Sequence, residues 1–275
     1  MAEAHPVELS FHRLPDGRRL AWRQTGQGPP LVMLHGWSLS GSVFHEVAAA
    51  LAGDFQVFCP DLCGHGWSDP GASCSLQSLA DDLGDWLTSL DLPAPALLGW
   101  SLGGQVAMQL AGQAPSSLGR LLLVSTTPCF CRKEDWPHGL PPAQVRSMGR
   151  QLQRAYLKTL GEFFDLQFAD ETPTAARRRE ILAFSARASR LPQPDDCLAT
   201  LNLLGTEDLR PAVPRLACPV LVMHGSRDRI IPWQAGRYLA RTIAGARLQL
   251  LEGVGHAPFI SRPRECVEIW RSFLK

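Results

Sequence analysis

The sequence predicts an α/β protein with a mostly parallel central sheet, flanked by helices and interrupted by a helical insertion. Apolar runs of strand length alternate with helix-like stretches, as they do in proteins that cover both faces of a parallel sheet. The predicted strands include residues 31–34, 57–59, 96–98, 121–124, 219–223 and 246–251. A long segment rich in helix formers separates the fourth of these from the fifth. We therefore expect one core built from residues 1–127 and 206–275, with residues 128–205 as a lid.

The composition is that of a folded protein able to bury a full core. Of its 275 residues, 45% are hydrophobic and 19% are charged, and the net charge of +1 argues against a nucleic acid as partner. No apolar run is long enough to span a bilayer, and Met1 to Glu8 lacks the apolar core of a secretion signal. We expect a cytoplasmic monomer with reduced cysteines and no metal site, because no Cys and His pairs have zinc-like spacing.

The first predicted elements are a hairpin and a strand that ends in a sharp turn. Residues 7–13 and 18–24 flank a Pro-Asp-Gly turn and should pair with each other. After the strand at 31–34, a His-Gly turn braced by His35 should aim the backbone amide of Trp37 at a reaction centre. The Gly-rich loop at residues 61–68 lacks the spacing and the lysine of a phosphate-binding loop, so it too is expected to brace the structure.

The most informative motif is Gly-Trp-Ser-Leu-Gly at residues 99–103, between the strand at 96–98 and a helix predicted from Gln105 onward. A serine on so sharp a strand-to-helix turn needs a strained backbone, and the flanking glycines remove side chains that would clash. The turn lifts the hydroxyl clear of the sheet, near a helix N-terminus that favours negative charge. We expect Ser101 to be a nucleophile, with the amides of Leu102 and Trp37 as its oxyanion hole.

A serine nucleophile needs a histidine base and an acid to orient it, and in this arrangement the acid precedes the histidine along the chain. His256 lies in a loop of glycines and proline just after the strand at 246–251, so we expect it to be the base. His224, near the end of the preceding strand, is expected to be structural. Asp228 follows that strand and is the expected acid. Asp208 is the alternative acid, although its surroundings favour a helix cap or an ion pair.

The predicted lid carries an excess of basic side chains. Between residues 141 and 191, nine Arg or Lys side chains stand against five Asp or Glu. Residues 141–160 have apolar side chains at three- and four-residue spacing, which predicts one helix with a buried face. Beside that face, basic side chains recur at every fourth position. They form either a solvated helix face or a docking surface for an acidic partner, and the docking candidates are Arg154, Lys158, Arg177, Arg178 and Arg179.

Taken together, the His-Gly turn, the loop at 61–68, the serine motif, Asp228 and His256 resemble the α/β-hydrolase superfamily, over nearly the whole chain from about Leu31 to Phe273. Less generic segments resemble one family within it, the pimeloyl-[acyl-carrier protein] methyl ester esterases. Those segments are 98–104, 127–130, 136–137, 163–167, 208–210 and 256–261. The chain departs from that family in its N-terminal hairpin. It also has Glu162 where the family tends to have an arginine directed toward the carrier protein.

The resemblance implies a serine carboxylesterase without a cofactor, acting on the methyl ester at the far end of an acyl chain held by an acyl carrier protein. It also implies substrate contacts through Trp37, Trp100, Ser101, Leu102, Phe163, Phe164, Asp165, Leu166, Gln167 and His256. Three alternatives stay open: an esterase or lactonase acting on free small esters, a carbon–carbon bond hydrolase, and a non-catalytic ligand-binding protein. Ser101 argues against a haloalkane dehalogenase, which needs a carboxylate nucleophile at this position.

Overall fold

An eight-stranded sheet forms the centre of the computed structural model, which describes residues 9–72, 74–113, 118–187 and 190–275, with 182–187 as backbone only. The strands are β1 (Leu9–Arg13), β2 (Arg19–Thr25), β3 (Pro30–Leu34), β4 (Gln56–Pro60), β5 (Ala96–Trp100), β6 (Arg120–Val124), β7 (Val220–Gly225) and β8 (Arg247–Leu251). Their order in the sheet is β1-β2-β4-β3-β5-β6-β7-β8. The pairs β1–β2 and β2–β4 are antiparallel, and the others are parallel. The predicted α/β class with a mostly parallel sheet is thus confirmed.

Helices cover both faces of this sheet. They are α1 (His45–Leu51), α2 (Leu76–Ser89), α3 (Leu102–Gln113), α4 (Pro142–Arg154), α5 (Tyr156–Leu166), α6 (Ala175–Arg187), α7 (Pro194–Thr206), α8 (Trp233–Thr242), α9 (Pro258–Ser261) and α10 (Pro263–Leu274). Successive residues of a strand point to opposite faces. Accordingly Leu97 belongs to the core under α2, α3 and α8, whereas Leu98 belongs to the core under α1 and α10. Burial on both faces explains why these strands read as continuous apolar runs.

The helices α4 to α7 lie in the segment between β6 and β7, where the sequence predicts a lid. The prediction of one helix over residues 141–160 is wrong, because Ala155 has φ −150° and ψ 60°, outside the helical region, and separates α4 from α5. The apolar stripe is still buried at Val145, Leu152 and Leu160. The break places Lys158 on α5, where its ammonium lies 3.8 Å from the carboxylate of Glu162.

The N-terminal hairpin forms as β1 and β2, and β2 pairs with β4 so that the hairpin extends the sheet at its edge. Met1 to Glu8, including the predicted start of the hairpin, lie outside the described residues. All eight cysteines are free thiols. In the part of the chain that the structure describes, no helix has both the length and the apolar character needed to cross a bilayer.

Candidate active site

The predicted nucleophile lies on a tight turn between β5 and α3. Ser101 has φ 55°, in the left-handed region that a side chain adopts only under strain. Its amide donates a hydrogen bond of 3.0 Å to the carbonyl of Val124 at the end of β6, and the hydroxyl of Thr126 donates one of 2.7 Å to its carbonyl. A Cβ on Gly103 would overlap the carbonyl oxygen of Leu34, so glycine is what lets α3 approach the end of β3. Neighbouring strands therefore hold the strained serine in place.

The turn predicted to supply the first oxyanion donor lies directly against this serine. A Cβ built on Gly36 would be 3.3 Å from the Cβ of Ser101, and Trp37 is the next residue. His35 braces the turn, since its Nδ1 donates to the carbonyl of Gly36 at 2.8 Å and its Nε2 accepts from the amide of Leu62 at 2.9 Å. Burial lowers the pKa of His35 well below its usual value, so the ring stays neutral, as one donor and one acceptor require.

The second predicted donor, the amide of Leu102, is the first of α3, where helical amides have no intrahelical partner. The amides of Gly104 and Gln105 instead return to the carbonyl of Ser101. The amides of Leu102 and Trp37 are therefore both positioned at the serine turn. Their role as an oxyanion hole stays a prediction.

The Gly-rich loop at residues 61–68 is organised around one fully buried carboxylate. Asp61 accepts hydrogen bonds from the amides of Gly41 and Trp67 at 2.8 and 2.9 Å, and its Oδ1 lies 2.8 Å from the guanidinium of Arg23. A Cβ on Gly66 would overlap this carboxylate. All of these partners belong to the protein itself. The carboxylate of Asp61 therefore has a structural role, in agreement with the bracing role predicted for this loop.

The predicted base and acid form a buried hydrogen-bonded pair. Nδ1 of His256 donates to Oδ2 of Asp228 at 2.8 Å, and both side chains are at most 1% exposed. The other oxygen of Asp228 accepts from the amides of Ile230 and Ile231, each at 2.8 Å. Burial by itself would raise the pKa of Asp228, but attraction to His256 and the hydrogen bonds from both neighbouring histidines outweigh it and lower the pKa. The carboxylate is therefore charged where it can orient an imidazole.

The loop that carries His256 reaches the serine turn through Trp100. The indole Nε1 of Trp100 donates to the carbonyl of His256 at 2.9 Å, and the two rings have their centroids 5.5 Å apart. Trp100 immediately precedes Ser101 in the chain. The predicted nucleophile, acid and base thus follow β5, β7 and β8, respectively. All three lie at the same end of the sheet, where the parallel strands have their carboxyl ends.

The two side chains considered as alternatives have different surroundings. His224 is fully buried, and its Nε2 lies 3.1 Å from Oδ2 of Asp228 and 2.9 Å from the carbonyl of Ile231. His224 therefore contacts the predicted acid directly. The sequence predicts only a packed histidine at the strand end and misses this contact. Asp208 instead forms ion pairs with Arg210 at 2.7 Å and with Lys133 at 2.8 Å. Both cations lower the pKa of Asp208, and Arg210 has the larger effect.

The segment Phe163–Gln167, predicted to border the substrate, covers the end of α5 and contacts the turn after β3. The ring of Phe163 meets the ring of Trp37 edge-on, with centroids 4.8 Å apart. Phe164 and Asp165 line a cavity of about 290 Å³ together with Ser38 and Leu39, while Leu166 packs beside Phe130. The carbonyl of Gln167 accepts a hydrogen bond of 2.8 Å from the amide of His256.

Another part of the predicted lid contacts Trp37, in the turn after β3. The indole Nε1 of Trp37 donates a hydrogen bond of 2.9 Å to the carbonyl of Cys197 in α7. Trp37 is 2% exposed. The predicted lid therefore contacts both the amide of His256 and the indole of Trp37.

Sequence reasoning missed one further residue at the site, Glu171. Its Oε1 accepts a hydrogen bond of 2.7 Å from the amide of Gly255, the residue before His256. Burial raises the pKa of Glu171, and the nearby charge of Asp228 adds to the effect. Glu171 belongs to no recognisable motif, and only the fold brings it to the histidine loop.

The structure modifies the predicted basic surface. Arg154, Lys158, Arg178 and Arg179 are exposed. Arg177 is not open for docking as the sequence suggested, because its guanidinium lies 2.7 Å from Glu46 and 2.8 Å from Glu180 and also donates to the carbonyl of Ile260. These contacts attach α6 to the core.

Comparison with known proteins agrees with the geometry of the site. The sequence pattern of the α/β-hydrolase fold family matches residues 29–263. A pimeloyl-[acyl-carrier protein] methyl ester esterase from Nitrosomonas europaea is 39% identical over 243 residues, which cover 88% of this chain and 94% of that protein. A protein of the same name from Chromobacterium violaceum is 38% identical, covering 88% and 92% of the two chains.

A solved structure gives the same result for the fold. An esterase from Exiguobacterium antarcticum superimposes with a TM-score of 0.88 at 26% identity, covering 96% of this chain and 98% of that one. The predicted resemblance is confirmed. The chain belongs to the α/β-hydrolase fold family and, within it, to the family of the pimeloyl-[acyl-carrier protein] methyl ester esterases.

Proposed function

We propose that this carboxylic ester hydrolase removes the methyl ester from pimeloyl-[acyl-carrier protein] methyl ester, giving the free carboxylate and methanol as a step of biotin synthesis. The observation that carries the reaction type is the buried pair of His256 and Asp228, delivered beside the strained turn of Ser101. The substrate is proposed from the names of the relatives, which are up to 39% identical over most of the chain.

In the proposed mechanism the hydroxyl of Ser101 attacks the ester carbonyl while Nε2 of His256 takes its proton. The amides of Trp37 and Leu102 stabilise the negative oxygen that develops on the carbonyl. His256 then returns the proton to the departing methoxide, so methanol leaves and an acyl-enzyme remains. Water, deprotonated by the same histidine, attacks the acyl-enzyme and restores Ser101. Throughout, Asp228 keeps Nδ1 of His256 protonated and stabilises the imidazolium.

The acyl chain is proposed to lie in the cavity of about 290 Å³ between α5 and the turn after β3. Leu39, Leu160 and Phe164 give this cavity apolar walls, and Ser38 and Asp165 supply polar atoms. Burial of each methylene contributes about 0.8 kcal/mol, so an unbranched chain gains affinity along its length. The reacting ester at the far end of the chain would then reach Ser101.

The function is tested by incubating the protein with pimeloyl-carrier methyl ester and following the intact mass of the carrier. The expected result is loss of one methyl group in exchange for hydrogen, dependent on enzyme. An unchanged carrier mass, together with rapid hydrolysis of a soluble aryl ester, would instead favour an esterase acting on free small esters. The fold shared with the esterase from Exiguobacterium antarcticum makes that the second candidate.

The partner is proposed to be the acidic acyl carrier protein, attracted to the exposed basic side chains Arg154, Lys158, Arg178 and Arg179 of the lid. Arg178 also lines a cavity of about 680 Å³, together with the carboxylates of Asp165 and Glu171. We further propose a monomeric enzyme in the cytoplasm, where its eight free thiols would remain reduced.

Removing charge at Lys158, Arg178 and Arg179 by alanine is expected to lower kcat/KM for the carrier-bound ester about ten-fold at low salt. Turnover of a soluble aryl ester should stay unchanged, because a neutral small ester gains nothing from steering. The carrier reaction should also become less sensitive to salt. The matched control is Arg241→Ala, an exposed arginine of α8 outside the lid. Equal loss on both substrates, or a similar loss in the control, would contradict a docking role.

A further inference from the structure

The loop that carries the proposed base is rich in glycine and depends on contacts from other elements. His256 follows Gly253-Val254-Gly255, and Gly253 has φ 73°. Glycines leave a loop many accessible conformations, so a fixed imidazole needs external support. On the core side, the amide of Arg227 donates to the carbonyl of Val254 at 2.8 Å. On the serine side, Trp100 binds the carbonyl of His256 at 2.9 Å.

Further support comes from the lid. Two successive amides of the loop donate to one short segment after α5: Gly255 to Oε1 of Glu171 at 2.7 Å, and His256 to the carbonyl of Gln167 at 2.8 Å. The approach is close enough that a Cβ on Gly255 would overlap Gln167 and lie 2.7 Å from Glu171. Of the two acceptors, only Glu171 uses a side chain, so substitution can remove it while leaving the backbone in place.

Burial of the Glu171 carboxylate costs free energy, and these contacts offset that cost only in part, since the pKa of Glu171 is raised. Its burial raises the pKa, whereas the amide of Gly255 and the charge of Arg262 favour the ionised form. Asp228 acts in the opposite direction. Glu171 is half-buried, and its carboxylate accepts a hydrogen bond from the amide of Gly255. A hydrogen bond to a charged group is stronger than one between neutral groups, so Glu171 stabilises the loop that carries His256.

We propose that Glu171 is a positioning residue for hydrolysis: by holding the Gly255–His256 peptide it keeps the imidazole aligned between Asp228 and Ser101. The inference rests on the proposed function of His256 as the base. Glu171 touches no reacting atom and acts only through the histidine loop. Because the same stretch of lid begins with Phe163 and Phe164, the wall of the acyl cavity and the support of the base belong to one continuous segment.

The test measures kcat and KM of Glu171 variants on a soluble aryl ester, which needs the serine and the histidine but not the carrier protein. Failure of the methyl ester substrate therefore cannot be confused with failure of this inference. Glu171→Ala is expected to lower kcat about ten- to hundred-fold with little change in KM, because a small misplacement of the base slows chemistry rather than binding. Labelling of Ser101 by an organophosphonate should slow in parallel.

Glu171→Gln keeps an oxygen that can accept the hydrogen bond from the amide of Gly255, so it should retain activity within about two-fold. Glu171→Asp shortens the side chain by one methylene, so its kcat should lie between those of the alanine and glutamine variants. The aspartate variant keeps the test decisive if the alanine variant does not fold. The matched control is Asp170→Asn, which weakens the neighbouring ion pair with Arg229 and leaves the histidine loop untouched. Three results would each overturn the proposal. The first is a wild-type kcat in Glu171→Ala, or in Glu171→Asp if the alanine variant does not fold. The second is an equal loss of kcat in the alanine and glutamine variants, and the third is an equal loss in the control.

Discussion

Replacement of Ser101 by alanine is expected to lower kcat for any ester substrate by about 10⁶-fold while leaving the fold intact. The hydroxyl is the only group of the site proposed to form a covalent bond with the substrate, and the remaining oxyanion donors cannot supply it. Alanine fits the turn, because the backbone contacts of Ser101 with Val124 and Thr126 do not use the hydroxyl. The measurement is steady-state hydrolysis of a soluble aryl ester, with thermal unfolding as the check on the fold.

A second readout separates loss of the nucleophile from damage to the site. An organophosphonate should label the wild-type protein at one position, identified by mass mapping as Ser101, and should leave the alanine variant unlabelled. Substantial activity in a folded Ser101→Ala variant, or labelling at another residue, would mean that the proposed mechanism is wrong.

Replacement of Asp228 by asparagine is expected to lower kcat by about 10⁴-fold, as the equivalent change does in serine proteases. The amides of Ile230 and Ile231 both donate to Oδ1, so the asparagine oxygen must occupy that position. Its NH2 group then faces Nδ1 of His256, where the carboxylate oxygen stood at 2.8 Å. Nδ1 must become the acceptor, the ring proton moves to Nε2, and the histidine can no longer take the proton of Ser101.

The matched control for this substitution is Asp208→Asn, at the aspartate that sequence reasoning left as the alternative acid. Asp208 is held by Arg210 and Lys133, so its replacement is expected to affect stability more than kcat. Both variants are compared by kcat on the aryl ester and by chemical denaturation. A drop in kcat for Asp208→Asn that equals the drop for Asp228→Asn would contradict the assignment of the acid.

Much of this architecture could be predicted because its signals are local. Parallel strands buried on both faces appear as apolar runs, and a serine flanked by glycines after such a run predicts a strained turn. The positive φ of Ser101 and the approach of α3 to β3 at Gly103 are what that motif implies. Chain order then predicts Asp228 as the acid and His256 as the base, and the fold brings the two within hydrogen-bond distance.

The features that sequence reasoning missed depend on contacts between distant segments or on one backbone conformation. Residues 141–160 keep a helical apolar period, so nothing in the pattern marks the break at Ala155. Arg177 reads as one of three successive arginines, yet its partner Glu46 lies in α1, far away in the chain. Glu171 likewise meets Gly255 only in the folded protein. For His224, its position four residues before Asp228 across a turn is a usable signal of their contact, which the prediction of a packed strand-end histidine leaves out.

The contacts that tie α5 and α7 to the core have a consequence for exchanging segments between related enzymes. Grafting residues 128–205 from one relative into another should transfer the preference for acyl length, since this stretch forms most of the wall of the cavity proposed to hold the acyl chain. The same transplant would also replace the carbonyls of Gln167 and Cys197, which anchor the amide of His256 and the indole of Trp37. A chimera that keeps its turnover rate must therefore inherit these two anchors in register as well as a cavity of the right size.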